Sequence, residues 1–127
     1  MRTVIAALAL LLSVTAAQAQ FYKVAASGQQ LLLYQAASAN PDCTSTGNVV
    51  VRVAAKPEHG RVSIVRSGIF PTFSMSNPRH HCNSRRVPGV KVFYTSRRGY
   101  TGPDAAALEV IFPAGAYVRR SFGMSVR

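Results

Sequence analysis

The chain has 127 residues, 48% of them hydrophobic, with fifteen Lys and Arg against four Asp and Glu and a formal net charge of +11. That size supports one domain with a modest core. The carboxylates Asp42, Glu58, Asp104 and Glu109 are too few and too scattered for a glycosidase pair or an acidic calcium cluster, and neither a G-x-S-x-G elbow nor a phosphate-cradling glycine loop occurs.

The chain opens as an export signal. Met1-Arg2-Thr3 is a short cationic start, Val4 to Val14 is almost unbrokenly apolar, and Ala17-Gln18-Ala19 is an A-x-A-like cleavage site. The apolar run is shorter than the roughly 20 residues that span a bilayer. The expectation is a signal peptide over 1–19, cleaved after Ala19, and one domain over 20–127 that is exported to the periplasm or the medium. No later stretch is apolar enough to cross a membrane. Export favours a disulfide, and two cysteines, Cys43 and Cys82, allow one internal bridge. Closing that loop stabilises by about 3–4 kcal/mol in the chain-entropy account.

After the signal, Phe21 to Ala37 is an opening strand region that Gly28 breaks. Its apolar core, Gln29 to Gln35, fits a short helix as well as a strand, and the strands that follow favour a strand. Ala39 to Asn48 is a polar loop rich in turn formers. Val49 to Ala55 is β-branched, with Val49, Val51 and Val53 on one face. Lys56-Pro57-Glu58-His59-Gly60 is a tight connection, in which Gly60 permits a positive φ. Arg61 to Arg66 alternates, with Val62 and Ile64 inward, so Val49–Arg66 reads as a hairpin. Ile69, Phe70 and Phe73 suggest a short strand around Pro71. Asn77 to Arg86 is a long basic loop anchored by Cys82. Val90 to Thr95 is a strand with Val90, Val92 and Tyr94 on one face. Ser96 to Asp104 turns, Ala105 to Phe112 is a strand, Pro113-Ala114-Gly115 turns, and Tyr117 to Val126 closes the domain. Seven short strands without a helix predict an all-β sandwich.

Two stretches carry a resemblance. Pro57-Glu58-His59-Gly60-Arg61-Val62-Ser63-Ile64, and Tyr94 through Gly99-Tyr100-Thr101-Gly102-Pro103-Asp104, resemble the P-x-H-G-x-V-x-I and Y-T-P-x-x-G-Y-x-G-x-D signatures of bacterial immunoglobulin-like and cadherin-like repeats. Ser96 stands where those repeats commonly have Pro, and the chain holds a single unit. Asn40-Pro41-Asp42-Cys43, with Cys82 ahead of Val87-Pro88-Gly89, is similar to a group of small exported proteobacterial proteins. The resemblance implies an immunoglobulin-like sandwich and says little of function.

The turn residues have a structural rationale. Gly99 and Gly102 supply positive φ, Tyr100 packs across the sandwich end, and Asp104 accepts N–H groups within its turn. His80-His81-Cys82, with His59 elsewhere, invites a metal reading. An oxidised Cys82, and neighbouring histidines on opposite faces of a strand, argue against it. No metal, cofactor or catalytic group is therefore assigned, and the expected protein is not an enzyme. The remaining signal is the basic loops. Arg79, Arg85 and Arg86 flank Cys82, and Arg97 and Arg98 precede Gly99; arginine pairs bidentately with phosphate and carboxylate. The expected function is an exported binding or structural module of the bacterial envelope. Its partner is an anionic polymer, a lipid head group or another exported protein, the last in an inhibitor or accessory role; export excludes intracellular nucleic acid.

Overall fold

A computed structural model describes residues 20–127, and the signal-peptide reading falls on 1–19, outside the described residues. Period-two alternation sets the strands. In Val87–Ser96 the side chains of Val90, Val92, Tyr94 and Ser96 are buried, while Lys91, Phe93 and Thr95 between them are partly exposed. Seven strands follow this logic: β1 (Gln20–Ala25), β2 (Gln30–Ala37), β3 (Val50–Ala55), β4 (Gly60–Ile69), β5 (Val87–Ser96), β6 (Gly102–Ile111) and β7 (Tyr117–Val126). A short 3-10 helix spans His80–Ser84. Among the described residues no helix is long and apolar enough to cross a membrane.

The strands form a four-stranded sheet, in the order β1-β7-β6-β3, and a three-stranded sheet, in the order β2-β5-β4. β1 runs parallel to β7, and the other pairs are antiparallel. Lettered A to G, strands B, E and D lie in one sheet and C, F and G in the other, as in an immunoglobulin constant-type sandwich, but strand A pairs with G in the second sheet rather than with B in the first. The inner faces meet in a core of Leu33, Val90, Val92 and Tyr94 from one sheet, and Val51, Leu108, Val110, Phe122 and Met124 from the other. Burial of such side chains contributes roughly 1.5–3 kcal/mol each and is the main stabilising term.

Several sequence expectations need correction. Val49–Arg66 is not a hairpin: β3 pairs with β6, and β4 pairs with β5 over its whole length, from Gly60↔Ser96 to Ile69↔Val87. Alternation fixes which face of each segment is apolar, but not which strand pairs with it. The 56–59 connection therefore crosses between sheets. Ile64 has inward parity yet is 41% exposed, because β4 is an edge strand. The region 21–37 holds two strands rather than one, separated at Gly28, whose φ is 72°. β4 ends at Ile69, and 70–76 contains no strand around Pro71. β6 begins at Gly102, so Asp104 lies in a strand, not in the turn.

Register also sorts the connections into two ends. Ala37 of β2 pairs with Gly89, and Ile69 of β4 with Val87, so 38–49 and 70–86 leave the same end of the three-stranded sheet. The disulfide Cys43–Cys82, spanning 39 residues, joins those two connections. The 26–29, 56–59 and 97–101 connections meet at the other end: Arg97 N–H donates to the His59 carbonyl at 2.8 Å, and Gly28 N–H to Ser96 Oγ at 2.8 Å. The ends are about 30 Å apart along a ten-residue strand.

Candidate functional site

At the glycine-turn end, the polar side chains are occupied in holding the fold. Asp104 is buried, and its carboxylate accepts the Glu58 N–H at 3.0 Å, the His59 N–H at 3.1 Å and the Tyr94 hydroxyl at 2.6 Å. Two of these donors belong to the β3–β4 connection, so Asp104 clamps a neighbouring connection rather than organising its own turn. Burial, and then the Asp104 hydrogen bond, push the Tyr94 hydroxyl well above its ordinary pKa of 10.0. His59 stacks on Tyr100 with ring centroids 4.0 Å apart and planes at 8°. Arg97 Nη2 lies 3.1 Å from His59 Nδ1. Gly60 is needed for space and not for a positive φ: a Cβ there would sit 2.5 Å from the Thr95 carbonyl oxygen and 2.8 Å from the Tyr94 ring. Gly99 and Gly102 do take positive φ, at 86° and 133°. These are the residues of the repeat-like signature, and their hydrogen bonds and contacts are internal.

The disulfide end is differently built. Cys82 is fully buried, and its bridge to Cys43 has a Cα–Cα distance of 5.5 Å. The segment 77–86 is pinned along its length. Asn77 Oδ1 accepts the Arg79 N–H at 2.8 Å, and Arg79 Nε donates to the Ala39 carbonyl at 2.8 Å. Asn83 both accepts from and donates to the backbone of Phe73, at 2.9 and 2.8 Å. Arg79 is thus a strut between the two disulfide-linked connections. Asp42 accepts the Thr44 hydroxyl at 2.6 Å and the Thr44 N–H at 3.1 Å, which holds its carboxyl below the ordinary range.

At the same end lies a cleft of about 530 Å³ between the start of β3 and the β4–β5 pair, lined by Arg66 and Arg86 and by Gly47 and Asn48. Arg86 reaches it across Gly68, where a Cβ would stand 3.3 Å from Arg86 Nε. The Arg86 guanidinium carbon is 6.0 Å from the Phe70 ring centroid. Among the described residues the ion pairs are Arg119–Glu109 at 4.0 Å and His59–Glu58 at 3.8 Å, so Arg66 and Arg86 face the cleft without a carboxylate partner. Two planar guanidinium groups on one cleft have the chemistry to bind an oxyanion.

The five arginines singled out in the sequence do not converge. Arg97 and Arg98 lie at the glycine-turn end. Arg79, Arg85 and Arg86 lie at the disulfide end, where Arg79 is a strut, Arg85 is exposed and Arg86 lines the cleft. Arg66 is the residue missed. Its signal is parity: it continues the inward set of Val62 and Ile64, so a cation on that face at the end of an edge strand points into an end cleft. For a metal, Cys43, His81 and Cys82 bring donor atoms within 4.8 Å of one another, but both sulfurs are spent in the disulfide. His80 and His81 lie in a 3-10 helix within the stretch expected as a loop, so the opposite-faces argument from a strand does not apply to them.

No protein-family model matches the chain, and no curated protein matches it. A solved structure described as the solution structure of amebosin aligns over 84% of this chain and 88% of that one, at 14% identity and a TM-score of 0.42.

Proposed function

We propose that the protein is an exported, non-enzymatic β-sandwich module that binds an anionic group of the bacterial envelope in the Arg66–Arg86 cleft. The observation that carries this reading is that two arginines without a carboxylate partner, one from β4 and one from the segment entering β5, line one cleft. The disulfide supports export, because such bonds persist in oxidising compartments. The absorption of Asp104 and His59 into the fold supports a binding role over catalysis: neither is left poised as a general acid or base.

Affinity for heparin, a soluble anionic polymer, measured at low and high salt tests the reading. Arg66→Ser with Arg86→Ser is expected to weaken low-salt binding by roughly tenfold or more, since charge-assisted pairs dominate such sites. Arg97→Ser with Arg98→Ser, at the opposite end, is expected to weaken it much less. Wild-type affinity in the cleft variant, or equal losses in the two variants, overturns the assignment.

A further inference from the structure

Both ends of the sandwich present cations, but their connections differ in apolar exposure. At the glycine-turn end, the 26–29, 56–59 and 97–101 connections expose no large hydrophobic side chain, and Tyr100 is covered by His59. At the disulfide end, Phe70 is 53% exposed and Met75 is 87% exposed, both in the connection that leads from β4 towards the 3-10 helix. The connection is held: Asn83 fixes Phe73 by two hydrogen bonds, and Pro71 is buried. A phenylalanine and a methionine are therefore presented to water by an ordered segment. Phe70 stands against Arg86 of the cleft, and Arg85 is exposed next to it in sequence. The one carboxylate in these connections, Asp42, is engaged by Thr44. Binding a soluble polyanion needs the guanidinium groups but not the apolar pair. A phospholipid surface uses both, with cations at the level of the phosphates and apolar side chains just beneath.

We propose that the disulfide end docks on a phospholipid surface bearing anionic head groups, with a head-group phosphate in the Arg66–Arg86 cleft and Phe70 and Met75 in the acyl boundary. This rests on the anion-binding reading and adds its physical setting.

The test compares vesicles of phosphatidylcholine alone with vesicles containing phosphatidylglycerol, by co-sedimentation of the mature protein, alongside heparin binding. Wild type is expected to bind the anionic vesicles and not the neutral ones. Met75→Ser removes a side chain that is 87% exposed and does not line the cleft, and is expected to lose roughly tenfold in vesicle affinity while keeping heparin affinity. The chain contains no Trp, so Phe70→Trp is a single reporter whose emission is expected to shift to the blue on anionic vesicles. Heparin binding with no preference for anionic vesicles overturns the membrane proposal and leaves the anion cleft standing. Wild-type vesicle affinity in the Ser variant, or unshifted emission from bound Phe70→Trp protein, also overturns it. Loss of both heparin and vesicle binding in wild type overturns both readings.

Discussion

Asp104 shows how much one side chain can decide in a small sandwich. Its carboxylate is the meeting point of β6, the β3–β4 connection and the Tyr94 hydroxyl. The consequence for pH lies with Tyr94. Its folded pKa is raised above the ordinary 10.0 by burial and by Asp104. Above about pH 10 the unfolded chain loses this proton while the folded chain keeps it, so stability is full below that pH and falls as pH rises. Tyr34 is also raised, by burial that outweighs the nearby Arg120, and adds to the same alkaline loss. Urea unfolding across the alkaline range is expected to show this decline, and Tyr94→Phe is expected to flatten it. At neutral pH that variant is expected to lose about 1–3 kcal/mol, because a buried carboxylate then lacks one donor. An unchanged alkaline slope in Tyr94→Phe would show that Tyr94 does not carry the pH dependence.

At the scale of elements, the disulfide and the 3-10 helix act as one device. Cys82 sits inside His80–Ser84, and Arg79 just before it bonds to Ala39 of the connection that carries Cys43. Reduction is expected to cost about 2–5 kcal/mol and to release 77–86 locally before the sheets open. Amide exchange is expected to accelerate in that segment first, while β5 and β6 keep their protection. Uniform acceleration across all strands would place the bridge in the global fold instead. The elements themselves were largely legible. Val90, Val92 and Tyr94 announce their face by alternation, and the Gly99 and Gly115 turns announce themselves by composition. Pairing was not legible between β3 and β4, because Val49–Ala55 and Arg61–Arg66 satisfy a hairpin pattern locally. β3 pairs instead with β6 and β4 with β5, a long-range fact that no local window holds. The cleft was half legible for the same reason. Arg86 stands in a conspicuous basic loop, whereas Arg66 reads as one more strand residue until the cross-strand register places it.

The whole molecule is a sandwich with unlike ends, one closed by an internal polar clamp and one held by a covalent bond beside an open cationic cleft. That division separates the supports of the fold from its open surface: substitutions at Asp104 or Tyr94 are felt by the fold, and on the proposed reading those at Arg66 or Phe70 are felt in binding. The Cys43–Cys82 bond also has a topological meaning. The chain between its sulfurs contains β3 from one sheet and β4 from the other, so the bond closes a covalent ring that passes through both halves of the sandwich. Glu58 lies in that ring with its side chain 87% exposed. A single proteolytic cut after Glu58 would therefore linearise the ring without releasing either piece. The nicked protein is expected to migrate as one species under non-reducing conditions and as two after reduction. To a protease that cuts after glutamate, the molecule can be cut there and still hold together.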